Sequence, residues 1–453
     1  MKLQALCAAV GIVLMAAPQA ESQTPIQLAK PQEQAGAPAV ITLQDALDLA
    51  KKLDGQFLSS VSDAQVASED RVQAKAAMLP SLSATTQYLG TQGNGELPSG
   101  RFVTNDGIHV YRAWGVLHQD LSPNTVFQTG YKRAQAAEAV ARVKVEIARR
   151  VLDAAVTKNY YALVTAQRKY ATAQQVVQQA QRFLEVSQQQ ERLGQAAHAD
   201  AVKADLQYQQ QKQGFDDATL AMENARLSLA VTLFPTLNEN FTVVDDLDSA
   251  HALPPFPEVQ AMAEKQNPDL RLADESLKQA SLDVQGAKNA LLPSLAIDAD
   301  YGIEANAFKL HSTVAAVPER GPMPNLGYYI TASLTVPLWD WGALKSKLSQ
   351  SQIREKQAQA QVTQAQRQLA GNLYAAYNEA LAARSAVTSL RRAADLATES
   401  LRLTNLRYQA GESPAQEVVD AQNALIQVRN AYDDAQSRYR LAIATLQTMT
   451  GGF

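Results

Sequence analysis

The chain has 453 residues, a formal net charge of -4, and a composition that is 46% hydrophobic but only 6% aromatic. The slightly acidic balance supplies no basic field for nucleic acid. A hydrophobic fraction carried largely by alanine, with so few aromatics, argues for extended helices with shallow seams and against one thick core.

Met1-Lys2 followed by the apolar stretch Leu3 to Ala17 reads as a secretory signal peptide over residues 1–22, with cleavage after Ala20 or after Ser22. Cys7, the single cysteine, falls inside that segment, too early for lipid attachment at a mature N-terminus, so no disulfide or thiolate chemistry is expected. No other run reaches the roughly 18–20 uncharged apolar residues of a spanning helix, so any entry into a membrane is by β-strands. Residues 23–41, rich in Gln, Pro and Ala, read as a flexible mature N-terminus.

A first structural repeat is expected over residues 42–234. Thr42 and Asp45 make a capping-box arrangement ahead of Leu43, Ala46, Leu47 and Ala50, and a second helix stops at Leu79-Pro80. The period then changes from 3.6 to 2. Leu82, Ala84, Thr86 and Tyr88 alternate with Ser81, Ser83, Thr85 and Gln87, which predicts a strand over 80–90. A Gly/Pro/Asn-rich loop and a weaker alternation over 109–121 follow, and the latter is read as a second strand. A long helical hairpin occupies 125–233, broken at Glu191 to Ala197. Residues 235–257, with prolines near their end, read as a linker.

The programme then repeats over 258–453. Leu79-Pro80-Ser81-Leu82 returns as Leu292-Pro293-Ser294-Leu295, and the same spacing pairs Asp70 with Asp283 and Tyr88 with Tyr301. A slightly longer spacing pairs the hairpin breaks Gly194 and Gly411, and Tyr160 with Tyr377; a longer loop over about 302–327 absorbs the difference. Strands are expected at 293–301 and 328–338, and a second hairpin over 342–450. The last strand alternates Tyr328, Ile330, Ala332 and Leu334 with Tyr329, Thr331, Ser333 and Thr335, with Trp339 and Trp341 at its end. Aromatics at the rim of a one-sided apolar strand suit a lipid-facing barrel, although a half-buried sheet gives the same alternation.

Four strands cannot close around an interior, and lipid cannot satisfy open edges, so a barrel has to be shared between chains. Three chains with twelve strands is the smallest count that leaves a channel. The fold class expected is mainly α with a β-barrel contribution: duplicated strand pairs and long helical hairpins, with three chains sharing one twelve-stranded barrel.

The order of these elements resembles the TolC family of outer-membrane efflux proteins, on the duplicated Leu-Pro-Ser-Leu, the strand, loop, strand insertions, and the break at Tyr408 to Gly411 followed by Glu417-Val418-Val419-Asp420-Ala421-Gln422. The resemblance covers residues 42–450. It implies a homotrimer in the outer membrane with a large periplasmic part, acting as a passive exit duct for small molecules and engaged by a periplasmic adaptor and an inner-membrane pump. It implies a gate formed by Asp200 and Tyr408 with acidic rings at Glu417 and Asp420. Ser413 stands where the family has the arginine partner of the aspartate. Adaptor contact is implied at the hairpin tips, Arg192, Leu193, Gly194, Gln409, Ala410 and Gly411, and membrane-interface contact at Trp339 and Trp341.

Tyr160, Tyr161, Tyr374 and Tyr377 read as seam-packing aromatics, and Arg149-Arg150 and Arg391-Arg392 as helix-surface charges. The five histidines have no metal-ligand spacing, and there is no P-loop, dinucleotide glycine motif or G-x-S-x-G, so neither an enzyme nor a cofactor is expected. A duct for type I protein secretion is the near alternative. A secreted, soluble coiled-coil interaction protein is the alternative of another class, but it leaves the duplicated strands unexplained.

Overall fold

A computed structural model describes residues 39–90, 109–194, 196–236, 240–249, 252–305, 310–315 and 322–451. The expected signal peptide, most of the N-terminal tail and the first strand-to-strand loop lie outside the described residues. The chain begins with β1 (Ala39–Ile41), α1 (Leu43–Leu53) and α2 (Gly55–Ala76). Both halves of the Thr42/Asp45 capping box are made: the Thr42 side chain accepts from the Asp45 amide, and the Asp45 carboxylate accepts from Thr42.

β2 (Ser81–Gly90) and β3 (His109–Asp120) follow, then a single turn, α3 (Pro123–Val126), and the rods α4 (Thr129–Arg192) and α5 (His198–Leu233). The second half holds β4 (Phe241–Val243), α6 (Phe256–Gln266), α7 (Pro268–Asn289), β5 (Ser294–Ala305), β6 (His311–Ala315), β7 (Pro322–Pro324) and β8 (Leu326–Thr335). It ends in α8 (Ala343–Gln409) and α9 (Ala415–Thr450). At about 1.5 Å per residue, the 64 residues of α4 and 67 of α8 make rods of about 100 Å.

β2, β3, β5 and β8 form one antiparallel sheet in that order, so the strand pairs of the two repeats meet at β3–β5. Because side chains alternate along a strand, the register sorts the sheet into two faces. Leu82, Ala84 and Tyr88 share one face with Leu117, Ile297, Tyr301, Tyr328, Ile330 and Leu334. Ser83, Gln87, Arg112, His118, Asp298, Glu304, Thr331 and Ser333 share the other. Among the described residues, both outer strands, β2 and β8, have one edge unpaired.

Two apolar cores hold the rods together about midway along their length. In the first repeat Tyr160, Leu163, Leu229, Leu233 and Phe241 are buried with Ala46 and Ala50 of α1. In the second, Val259 and Ala263 of α6 pack on Leu373, Ala380 and Leu446. The paired tyrosines do the same work in each core: Tyr160 donates to the carbonyl of Val244 at 2.7 Å, and Tyr377 to that of Pro254 at 3.1 Å. Burial, helped by the Asp246 charge, pushes the Tyr160 hydroxyl up to about 12, so it stays a donor at any physiological pH. Tyr160→Phe keeps the ring and strands the Val244 carbonyl. The expected cost is about 1–2 kcal/mol, read as a lower midpoint of thermal unfolding; an unchanged midpoint would mean that water satisfies that carbonyl.

Several expectations are corrected locally. Residues 39–41 are not a flexible tail and the segment after residue 235 is not featureless, because Ala39–Ile41 pairs in parallel with Phe241–Val243. The first hairpin does not run unbroken from residue 125: the chain breaks at Gln128, whose φ of 57° ends α3 before α4 begins. In the second repeat β5 extends to Ala305 and β8 begins at Leu326, so the loop between them is shorter, and it contains the β6–β7 pairing. β8 ends at Thr335, two residues before Pro337, which has no amide to give a ladder. Tyr374 packs on the Phe256 ring at 4.6 Å but stays 59% exposed, so it covers the margin of the second core and is not buried within it. Arg150 is buried, donating to the Thr448 carbonyl at 2.6 Å and pairing with Glu146 at 2.7 Å, so it ties the end of α9 to α4 and is not a surface charge.

Candidate functional site

Three regions position the residues that the sequence singled out: the hairpin tips, the polar face of the sheet, and the turn where β8 passes into α8. Both tips turn on a glycine in the left-handed region, Gly194 at φ 73° and Gly411 at φ 76°. A side chain with a Cβ is disfavoured there. At the second tip the Glu412 amide reaches back to the Arg407 carbonyl at 2.8 Å and that of Gly411 to Tyr408 at 3.0 Å, closing off the last turn of α8. Arg192, Leu193, Gln409 and Ala410 are all exposed around these turns.

A small apolar knot joins the two hairpins just behind the tips. Phe183 of α4, Ala204 of α5, and Ala415 and Val418 of α9 are buried together, with Tyr408 of α8 packed against them. The Tyr408 ring lies 5.2 Å from that of Phe183, and its hydroxyl meets Gln190 at 3.1 Å and Ser187 at 3.2 Å, both on α4. Tyr408 therefore bridges the hairpins through Gln190 and Ser187. Asp200 is the third residue of α5 and partly buried, its amide bonded to the Ala197 carbonyl. Glu417 is the third residue of α9 and bonds to Ser413 and Arg407; Asp420, exposed one turn on, accepts from the Gln416 amide at 2.9 Å. Further up, Asn423 of α9 accepts from Gln207 of α5 at 3.1 Å.

The polar face of the sheet carries cross-strand pairs that the sequence reading did not identify. Arg112 of β3 bonds Glu304 of β5 at 2.8 Å and Gln87 of β2 at 3.0 Å, and His118 meets Asp298 at 2.6 Å. Between these rows Trp114 lies across Gly302, with Tyr329 of β8 edge-on at 5.4 Å and the Arg112 guanidinium 5.2 Å from its ring centre. The available signal was charge at every second position, Arg112, His118 and Asp120 against Asp298, Asp300 and Glu304. Trp114 and Val116 on the same face blurred it in β3.

At the far end of β8, Trp339 and Trp341 are 76% and 90% exposed and stack edge-on at 5.6 Å. Asp340 between them accepts from the Gly342 and Leu344 amides, starting α8, while Trp341 takes φ 55°. Gln128 holds the matching place ahead of α4 with φ 57°, so the duplication persists in backbone conformation where the residue types differ.

A belt midway along the rods also escaped the sequence reading. Arg168 of α4 bonds Asp248 at 2.7 Å and Gln436 of α9 at 2.8 Å, with Asp245 and Asp433 also against its guanidinium. Arg440 of α9 donates to the Asp246 carbonyl and to Ser249. Residues 245–249, between the repeats, are thereby stapled to α4 and α9 together.

Residues 260–452 match the sequence model of a family described as outer membrane efflux protein. A pyoverdine export outer membrane protein of Pseudomonas putida is 28% identical over 191 residues, 41% of this chain and 37% of that protein. Outer membrane protein TolC of Escherichia coli is 24% identical over 190 residues, 42% of this chain and 38% of that one. The chain thus spans well under half the length of these relatives in the matched region. Its three-dimensional likeness is wider. The Campylobacter jejuni CmeC outer membrane channel superimposes with a TM-score of 0.77 over 90% of this chain and 85% of that one at 16% identity. The Neisseria gonorrhoeae MtrE channel does so with 0.73 over 90% and 89% at 21% identity. The second repeat thus carries the sequence pattern of the outer membrane efflux family, and the chain as a whole has the fold of these channels.

Proposed function

We propose that three copies of this chain close one twelve-stranded barrel in the outer membrane, standing on a periplasmic helical tunnel. The assembly is a passive exit duct for small molecules. The observation that carries this reading is the sheet: one face apolar and bare, with Leu82, Tyr328, Ile330 and Leu334 all more than 65% exposed, the opposite face polar and ion-paired, and both edges open. An isolated soluble chain would leave that face and those edges in water. Lipid covers the face, and the edge pairing of β2 with β8 of a neighbouring copy satisfies the backbone. Among the described residues no helix is long and apolar enough to cross a membrane, so the strands carry the insertion.

Trp339 and Trp341 then sit at the lipid–water boundary, where ring and N–H are both accommodated. The tips Arg192 to Gly194 and Gln409 to Gly411 lie at the opposite end, offered to a periplasmic adaptor, and energy comes from an inner-membrane pump. Tyr408, Asp200, Glu417 and Asp420 surround the closing end of the tunnel, with Tyr408 as the tie between hairpins. Detergent extraction with a mass measurement tests the reading: a particle of three chains is expected, and a water-soluble monomer overturns it. In planar bilayers Tyr408→Phe loses the bonds to Gln190 and Ser187, worth about 1 kcal/mol per chain, and resting conductance rises. An unaltered closed state would take Tyr408 out of the gate.

A further inference from the structure

Glu417 and Asp420 lie one turn apart at the start of α9, yet their surroundings differ in kind. The Glu417 Oε2 atom accepts from the buried Ser413 hydroxyl at 2.6 Å and from Arg407 Nη1 at 3.2 Å. Arg407 belongs to the last turn of α8, so this carboxylate spans the tip turn from one helix to the next. Asp420 receives only the neutral amide of Gln416 among the bonds described.

The two repeats give a second, independent contrast. Glu417 occupies in α9 the place that Asp200 occupies in α5: each is third in its helix, with its amide bonded three residues back, to Pro414 and to Ala197. Neither helix has a side-chain cap at its N-cap residue, Ala197 or Pro414. A carboxylate in the first turn of an uncapped helix is favoured by the partial positive charge there, whatever the turn faces. Helix chemistry thus accounts for an acid at 417. It does not account for one at 420, where the first repeat has Lys203.

We infer that the two acids do separate jobs: Glu417 is the pin of the tip turn, its charge neutralised in place by Arg407, and Asp420 alone presents charge to passing ions. This rests on the conduit reading above. Three copies around an axis then give a ring of three net charges, not six. A contact ion pair acts on a passing ion as a short dipole whose field fades faster than that of the bare Asp420 charge within the screening length of about 8–10 Å.

The charge logic yields opposite signs for the two sites. In planar bilayers under a salt gradient, Asp420→Asn should lower the cation-to-anion permeability ratio by about twofold or more. Arg407→Gln should raise it, because Glu417 is unmasked. The double variant Arg407→Gln/Glu417→Gln removes a neutral pair and should keep the wild-type ratio. Amide hydrogen exchange over residues 407–417 should quicken in Glu417→Gln and in the double variant alike, since either breaks the clasp. Arg407→Gln with no effect on the ratio, together with a double variant as weakly selective as Asp420→Asn, overturns the assignment. Exchange at the tip unaltered in Glu417→Gln also overturns it. Wild-type protein that forms no channel while its tip exchange responds as stated sinks the conduit reading, and the selectivity assignment with it, but leaves the pin.

Discussion

Gly302→Val should disrupt the four-stranded sheet and with it abolish assembly of the proposed barrel. A Cβ at Gly302 would stand 2.1 Å from the Ala113 carbonyl oxygen, 2.7 Å from the Trp114 Cα and 2.8 Å from the Trp114 Cδ1. Two of those three atoms are main chain, and the strand that owns them is held on both sides by its ladders to β2 and β5. Overpacking a side chain costs about 1–3 kcal/mol because neighbours can rotate away; here the neighbour is the sheet, so the strain falls on the register itself. The β3–β5 ladder is also the seam between the two repeats. The expected outcome is loss of the folded protein from the outer-membrane fraction, with the chain recovered as unassembled material. Trp114→Ala supplies the control: it removes the ring lying over Gly302 but leaves the backbone, and it should assemble with reduced heat resistance. Normal assembly of Gly302→Val would mean that β3 and β5 are not joined in the register described.

Arg168→Met should lower stability by about 2–4 kcal/mol per chain, below the roughly 3–5 of a fully buried broken pair because the cluster is partly wet. Asp433 is buried, and that burial pushes its carboxyl above the usual range, with Arg168 the chief counterweight. Asp248 is held below its usual range first by the Gln436 amide and then by Arg168. Both effects give one sign. Without the guanidinium Asp433 rises further, so its folded form binds the proton more tightly than its unfolded form, and stability is lost as pH rises through that folded value. The contribution of Asp248, present above its unfolded value and lost as pH falls through its folded one, is weakened at neutral pH but was already fading in acid. The deficit of the variant against wild type should therefore be larger at pH 7 than near pH 4. Thermal unfolding of the detergent-purified protein at both values measures it. Equal midpoints, or a deficit that grows in acid, would remove this cluster from the fold's stability.

The outline of the fold was legible because its signals are local. The alternation in Ser81 to Tyr88 and the prolines at 80 and 293 lie within a few residues of the features they set, and duplication let each repeat check the other. The bonds that fix the site are not local. Arg168 meets Asp245 and Asp433, 77 and 265 residues away, and Tyr408 meets Gln190 across 218. No period in the sequence announces such partners. The tip shows the same division: the glycine breaks were readable, whereas the pairing of Glu417 with Arg407 depends on how the turn brings two helix ends together. Arg150 read as an ordinary helix charge until the segments packed over it came into place.

The belt at Arg168 has a mechanical meaning. A long rod tied only at its two ends would bow anywhere, whereas one pinned partway down behaves as a lever with a defined arm. Below the pin α4 continues to Arg192, about 36 Å, and α9 extends from Asp433 to Ala415, about 27 Å. A tilt of about 10° about that pin carries the end of the longer arm through about 6 Å, enough to break the contacts of Tyr408, while the cores above the pin stay packed. On the conduit reading proposed above, the short segment between the repeats is the fulcrum of such a tilt, and its position along the rods sets how far the tips swing.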